Sequence, residues 1–438
     1  MKVKKDKVKL ITLGCSKNLV DSEFILSQLK SNDIEIVDNE VDAENVIINT
    51  CGFIEAAKQE SIDTIMRAVD LKTKGKIKNV YVAGCLSDRY LTELEKDIPE
   101  VDKYFGATDK PQTIFSILNE LGVDYKKNLI GERILTTPSH FAYLKISEGC
   151  DNPCSFCAIP IMRGGHRSKP LQDILTEAQK LASKGVKELV IIGQDTTYWG
   201  MDIGEYKKRS LSMVLSELSK IKGIEWIRLM YAYPSRFPSD LISTIRDTEN
   251  ICNYIDIPVQ HISDNVLKSM RRGITKKTLS ELLYKLRNEI PGIAIRTTLI
   301  TGYPDESEND FNEMLEFVKD FKFDRLGVFT YSHEDGTYAA GIPDRIPQKE
   351  KQSRQKILLD AQRSVSIEKN LETVGKVIKV LIDRKENDYY IGRSYKDSPE
   401  IDQEIYINSK ELTKGEFYDV KIFDAEEFDL FGEVIINK

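Results

Sequence analysis

Between residues 8 and 332, short runs rich in Val, Ile and aromatic residues alternate with segments whose apolar residues recur at helical spacing. A strand followed by a helix and then another strand returns the chain to the same edge, so such strands lie parallel in sheets covered by helices. The pattern predicts an α/β chain in three parts. In the first, strands over 8–14, 45–50, 79–84 and 102–106 alternate with helices, one of them over 54–71 with Ile62, Ile65, Met66 and Val69 on one stripe. GERILTTPSH (131–140) has no periodicity and reads as a linker. In the second part, strand then helix repeats six times, with strands at 141–147, 188–195, 226–234, 254–260, 293–302 and 325–332 and a helix over 171–185 ended by Gly185. Six units are too few for a closed eight-stranded barrel, which predicts an open, partial (β/α)6 barrel. After a helix at 348–372 the helical spacing stops. Five short strands in under 70 residues predict a small antiparallel β-barrel of the oligonucleotide-binding type. The expected boundaries are 1–130, 131–370 and 371–438.

Length and charge narrow the function. The 438 residues are 41% hydrophobic, enough for a core in each part, and the longest apolar runs, such as LVIIG at 189–193, fall far short of the roughly 20 residues of a membrane span. The first residues, MKVKKDKVKLITLGC, contain no apolar stretch of a secretion signal. The expected location is the cytoplasm, with no membrane partner. Net charge is −7 and uneven: residues 371–438 hold 10 basic and 16 acidic side chains. A nucleic-acid-binding tail is ordinarily basic; an acidic one is drawn to a basic protein.

Seven cysteines, an odd number in a long chain without an export signal, argue for metal-binding or catalytic thiols rather than disulfides. Cys150, Cys154 and Cys157 stand in SEGCDNPCSFCAIP after the first strand of the six-unit part, where a barrel forms active sites. Cys-x3-Cys-x2-Cys can wrap three thiolates round one iron–sulfur cluster and leave one iron free. The alternatives are a zinc site, which wants a fourth ligand, and a redox-active Cys-x2-Cys pair. Cys15, Cys51 and Cys85 are distant in sequence, yet each follows a strand (LITLGC, VIINTC, VYVAGC). The ends of parallel strands share one edge, where α/β sheets bind ligands, so these thiols are placed to hold a second cluster; three core cysteines are the alternative. Gly14, Gly52 and Gly84 beside them would let backbone approach a bulky group. Cys252 has no partner in spacing and reads as a buried free thiol. His261 follows a barrel strand, with an orienting or a solvated role. No P-loop, Gly-x-Gly-x-x-Gly, nucleophile elbow or His-Glu-x-x-His is present.

Cys150-x3-Cys154-x2-Cys157 with Phe156 before the last cysteine resembles the radical S-adenosylmethionine (SAM) superfamily. The upstream cysteines and the final small barrel resemble its methylthiotransferases, a likeness that covers essentially the whole chain. LGCSKNLVDSE (13–23), NTCGFIEAAKQES (49–61), SEGCDNPCSFCAIPIMRG (147–164), DIPVQHISD (256–264) and YSHEDGTYAA (331–340) are similar to the RimO-type branch. The tRNA-modifying branch typically carries Gln-Met where Ser16-Lys17 stand and Arg-Pro where Glu334-Asp335 stand, and this sequence departs from it at both. The resemblance implies a TRAM-type final barrel, two [4Fe–4S] clusters (Cys15, Cys51, Cys85 and Cys150, Cys154, Cys157), and SAM as radical source and methyl donor. It implies methylthiolation of an aspartate β-carbon in ribosomal protein S-twelve, free or in the small subunit. No side-chain acid or base would be needed, because a radical removes hydrogen from a carbon that no base could deprotonate. An electron donor such as flavodoxin or ferredoxin is implied. Phe156 would lie near the adenine, with ordinary core packing as the alternative. Gln194 and Asp195 would contact SAM or else cap their strand, Arg296 would pair with a SAM carboxylate or else form a surface or structural ion pair, and Gly302 would lie on the adenine-contacting strand, with Thr298 departing from a position often held by glycine. Direct tRNA binding is disfavoured by the acidic tail, where Tyr389, Tyr390 and Tyr395 read as sheet and core residues. The competing functions are tRNA methylthiolation beside the anticodon and a zinc-stabilised binding module.

Overall fold

The computed structural model describes residues 6–129, 131–204 and 211–435. Its first sheet is built by β1 (Lys7–Thr12), α1 (Ser16–Ser31), β2 (Glu35–Ile36), β3 (Asn45–Thr50), α2 (Glu55–Thr73), β4 (Asn79–Gly84), α3 (Cys85–Arg89), α4 (Leu91–Asp97), β5 (Lys103–Tyr104) and α5 (Pro111–Glu120). All its strands are parallel in the order β2-β1-β3-β4-β5. Ile25, Leu29, Ile117 and Leu118 of α1 and α5 cover one face, and Ile65, Ala68, Leu86 and Leu94 of α2, α3 and α4 cover the other. The strand order reverses between β1 and β3, and such a switch point opens a crevice at the carboxyl ends of the strands. The two-residue β2 was not foreseen; its pairing is confined to Glu35 and Ile36.

Next come β6 (Phe141–Lys145), the ribbon of β7 (Ser147–Glu148) and β8 (Arg167–Ser168) around α6 (Ile159–Arg163), then α7 (Leu171–Ser183), β9 (Glu188–Ile192), α8 (Leu211–Leu218), β10 (Trp226–Leu229), α9 (Asp240–Asp247), β11 (Ile251–Asp256), α10 (Asp264–Ser269), α11 (Lys276–Glu289), β12 (Ala294–Thr301), α12 (Glu308–Phe321), β13 (Arg325–Thr330) and α13 (Gln348–Leu371). The sheet is open and parallel, β13-β12-β11-β10-β9-β6, the partial barrel expected from six units. Its strands are mostly shorter than the apolar runs. Helices seal its convex side through one large apolar core. Its concave side is filled by Val20 of α1 and by Leu381, Tyr395 and Phe417 of the last part, packed on Phe141, Tyr143, Val190, Trp226 and Tyr254.

The last part comprises β14 (Val377–Glu386), β15 (Tyr389–Arg393), β16 (Glu404–Asn408), β17 (Phe417–Ala425) and β18 (Asp429–Val434), closed as β14-β15-β16-β18-β17. It departs from an antiparallel barrel in one pairing: β16 and β18 are parallel. Directions cannot alternate all the way round a ring with an odd number of strands, so one neighbouring pair must agree. Residues 131–140 form no regular element apart from the described turns, yet they are a pinned strap rather than a free linker: Arg133 is buried against Glu23 of α1 and Glu177 of α7. Among the described residues no helix is long and apolar enough to cross a membrane.

Candidate active site

β1, β3 and β4 are neighbours, so their carboxyl ends deliver Cys15, Cys51 and Cys85 to one edge, beside the switch point. Cys15 is exposed; Cys51 and Cys85 are buried. The turns leave no room for side chains. A Cβ on Gly14 would lie 2.8 Å from the Cys51 Sγ, and one on Gly84 2.4 Å from the Thr50 carbonyl oxygen. Both glycines hold positive φ, +86° and +105°. The missing side chains let the neighbouring turns touch. Asn18 of α1 donates to the carbonyls of Leu13 (2.9 Å) and Thr50 (3.0 Å) and ties the first two turns together. Burial pushes the Cys85 thiol up to about 12, against the pull of the Arg163 guanidinium, whose Nε donates to the Cys85 Sγ at 3.3 Å.

The second trio stands on the loop between β7 and α6. The Ser155 N–H donates to the Met270 carbonyl (3.0 Å), its hydroxyl pairs with the Tyr303 hydroxyl (2.8 Å), and its carbonyl accepts from the Ala339 N–H (2.7 Å). Phe156 packs, half-buried, on Val266, Met270, Tyr303, Tyr331 and Ala339. Asn152 Nδ2 donates to the Cys150 Sγ (3.4 Å) and to Asp195 (2.8 Å). Arg272 Nη1 donates to the Cys154 Sγ (3.2 Å), and the guanidinium covers the Tyr233 ring at 4.3 Å. Burial pushes Cys150 up to about 11 and Cys157 to about 12.

The two cysteine-bearing segments touch at one border. Cys85 forms an apolar cluster with Ala158, Ile159 and Met162, one, two and five residues beyond Cys157. From the same helix Arg163 reaches across to Asp21 (2.9 Å) while also pairing with Glu148 (3.1 Å). Lys145 joins both carboxylates. Burial alone would raise the Glu148 carboxyl, but Lys145 and Arg163 hold it down at about 2. A second bridge runs from the loop after β13: Glu334, buried, accepts from Arg89 (2.7 Å) and pairs with Lys58 (3.3 Å), while Arg89 also donates to the Gly52 carbonyl (3.2 Å). Among the described residues no three His, Cys, Asp or Glu side chains converge on a single metal ion. A four-iron cluster keeps its sulfur ligands farther apart than one ion does, and a guanidinium on one sulfur of each trio suits an anionic thiolate group.

The remaining expected contacts are dispersed. Gln194 Nε2 donates to Glu148, and its Oε1 is buried with no hydrogen-bond partner. Asp195 caps a short turn through the Thr197 N–H (3.0 Å) while holding Asn152. Arg296 sits early on β12 and pairs with Asp256 (2.9 Å) and with Asp402 of the small barrel (3.2 Å), so its charge is engaged at the seam. The Gly302 N–H donates to Glu306 (3.0 Å), and a Cβ there would strike the Lys351 side chain, so it faces α13. His261 is wholly buried, not solvated, with Nδ1 accepting from the Ser263 N–H (3.0 Å). Cys252 is buried in the concave core, its thiol pushed up to about 12 by burial. Arg163, Arg272, Glu148 and Asn152 were missed: Arg163 lies six residues beyond Cys157, a local signal, whereas Arg272 reaches Cys154 only through the fold.

Three family models match in succession: "Uncharacterized protein family UPF0004" over residues 7–106, the radical SAM superfamily over 144–318 and the TRAM domain over 374–435. Proteins named ribosomal protein uS12 methylthiotransferase RimO are similar along the whole chain. Those of Christiangramia forsetii (52% identity; 98% of this chain, 95% of the relative), Cytophaga hutchinsonii (52%; 98% and 98%) and Chloroherpeton thalassium (50%; 100% and 100%) are examples. Among solved structures, the radical SAM methyltransferase TsrM from Kitasatospora setae, with cobalamin and a [4Fe–4S] cluster bound, shares the fold at TM-score 0.57 and 12% identity over 76% of this chain and 77% of its own. The cobalamin-dependent radical SAM enzyme OxsB does so at TM-score 0.52 and 13% identity over 83% and 58%. With identity of about one half over nearly full length, this chain belongs to the RimO family of ribosomal protein uS12 methylthiotransferases, within the radical SAM superfamily.

Proposed function

We propose that this chain methylthiolates the β-carbon of an aspartate in ribosomal protein uS12, with a [4Fe–4S] cluster on Cys15, Cys51 and Cys85 and another on Cys150, Cys154 and Cys157. When bound, these clusters and SAM supply the electron relay, the carbon radical and the methylated sulfur. The protein's own residues supply placement. Met162 and Ala158 pack against Cys85, so the segment that follows the second trio touches a member of the first, and this observation supports the reading: sulfur on one side and radical chemistry on the other must reach the same substrate carbon. Phe156 closes the apolar side of the loop and excludes water. Gln194 Oε1, buried and unpaired, is the acceptor left for SAM, while Asp195 and Asn152 orient the Cys150 sulfur. Arg296, paired with Asp256 and Asp402, and Gly302, which faces α13, support that role less than Gln194 does.

The acidic small barrel supports a basic protein partner over tRNA, and the full-length likeness is to uS12 enzymes. A flavodoxin or ferredoxin would supply the electron. Intact-mass measurement of uS12 with and without the enzyme tests the substrate: one methylthio group is expected on uS12 and none on tRNA nucleosides, and the reverse would sink the reading. Replacing Cys15, Cys51 and Cys85 together by Ala should remove about half of the iron and abolish modification while SAM cleavage persists.

A further inference from the structure

Pro153, which precedes Cys154, lines a surface groove of about 870 Å3 with Arg236, Lys268, Arg271, Thr278 and one carboxylate, Asp264. A hollow of about 330 Å3 continues it past Arg236 and Thr278 to Lys285. One wall comes from KSMRRGITKK (268–277): Lys268 and Arg271 line the groove, Arg272 is buried, and Lys276 and Lys277 pair with Glu313 and Glu281. Arg236, Lys268 and Arg271 are exposed and, among the described residues, none forms a salt bridge. Arg271 instead lies over the Tyr338 ring at 3.5 Å. Arg236 and Arg271 both hold positive φ, +58° and +55°, a conformation that non-glycine residues adopt rarely and that clusters at functional sites.

Consecutive arginines face opposite ways. Arg271 lines the groove, while Arg272 turns inward to the Cys154 sulfur at 3.2 Å. Ser235 on the far wall donates to the Gly273 carbonyl at 2.9 Å and fixes the turn between them. Neighbours in the chain therefore link the two places: Pro153 and Arg271 line the groove, and Cys154 and Arg272 meet behind them.

We propose that this groove docks an acidic one-electron carrier protein of the flavodoxin or ferredoxin class. The proposal rests on the cluster assigned above to Cys150, Cys154 and Cys157. The carrier is oxidised by one electron and that cluster reduced by one; no bond is made or broken in the transfer. Arg236, Lys268 and Arg271 outnumber Asp264, and this net positive charge steers an acidic carrier to the face that Pro153, the neighbour of Cys154, helps to form, in an encounter that weakens with salt. The basic uS12 is repelled from the same face.

The test uses the cluster-loaded enzyme carrying Arg236→Glu, Lys268→Glu and Arg271→Glu together, with three readouts: SAM cleavage to deoxyadenosine, binding of flavodoxin, which should be lost, and binding of naked small-subunit ribosomal RNA, which should be unchanged. With reduced flavodoxin the rate should fall about tenfold or more at low salt, and the salt dependence of the unaltered enzyme should vanish. With dithionite, a small reductant that needs no docking, the rate should be unchanged, and the Arg236→Lys, Arg271→Lys enzyme should keep the flavodoxin rate. Equal flavodoxin rates in altered and unaltered enzyme overturn the proposal. So does an equal loss with both reductants, which assigns these residues to holding the cysteine loop, or a loss confined to binding of naked small-subunit ribosomal RNA. Failure of the unaltered enzyme to cleave SAM even with dithionite removes the underlying cluster reading, and the docking surface with it.

Discussion

Arg163 ends its side chain among Asp21, Glu148 and Asp109 with its Nε on the Cys85 sulfur, and Lys145 is the other cation in that buried group. A buried carboxylate stays ionised only while its partners remain, and removing one partner of such a set costs about 3–5 kcal/mol. Arg163→Gln should therefore lower the unfolding free energy by about that amount in urea titrations near neutral pH, and Arg163→Lys by less. The pH dependence has a defined sign. Glu148 is held below its ordinary value near 4.5, so its contribution is complete above that value and is lost as pH falls towards about 2. Without Arg163 that loss should begin at higher pH, visible as an acid limb displaced upward in a plot of urea midpoint against pH. Identical limbs would show that Lys145 alone holds Glu148.

At the scale of elements, the cysteines were legible because each follows an apolar run, and runs joined by helices must be parallel; the edge that gathers Cys15, Cys51 and Cys85 follows from that alone. The seating of α3 against α6 was not legible, since nothing in either short segment names the other. Nor was the parallel β16–β18 pair, which is a property of the closed ring rather than of either strand. Tyr389 and Tyr390 show the same limit: Tyr390 is core while Tyr389 is exposed beside Tyr406, an alternation set by barrel closure. The β4-to-α3 turn gives an element-scale test. Gly84 has φ +105° and almost touches the Thr50 carbonyl oxygen. Gly84→Ala must part the ends of β3 and β4, at about 1–3 kcal/mol for the backbone conformation alone, and carry Cys85 with them. Iron content should drop towards that of the protein lacking Cys15, Cys51 and Cys85, with a lower thermal midpoint. Full iron retention would mean that the turn tolerates a side chain.

Across the whole molecule, the acidity of the last part serves two purposes. Asp383, Asp397 and Asp402 point into the seam, where they meet His140, Arg325 and Arg296, so only the remaining acidic residues are displayed to a partner. The centre of the seam is Glu188, wholly buried, which pairs with Arg228 (2.7 Å) and with Arg393 of the small barrel (2.8 Å), while Arg393 also holds Asp383 (2.6 Å). Such a joint fixes the small barrel against the concave side of the open sheet. Trp226, 4.8 Å from the Phe417 ring, reports on it, and Trp199→Phe leaves Trp226 as the sole tryptophan. With that background, Trp226 fluorescence and far-ultraviolet circular dichroism should give coincident urea transitions. Glu188→Gln leaves two buried guanidinium groups short of charge, a loss of about 3–5 kcal/mol, and the Trp226 transition should then precede the other as the small barrel departs first. Burial by itself would raise Glu188 and Asp383, but Arg393 holds both below their ordinary values, so the share of the seam due to these two is complete above about pH 4.5 and is lost as pH falls through the lowered values. Glu188→Gln should remove part of that acid sensitivity and leave the share due to Asp383. Coincident transitions in the variant, with an unchanged acid limb, would mean that apolar packing of Phe417 and Leu381 holds the barrel without the ion web.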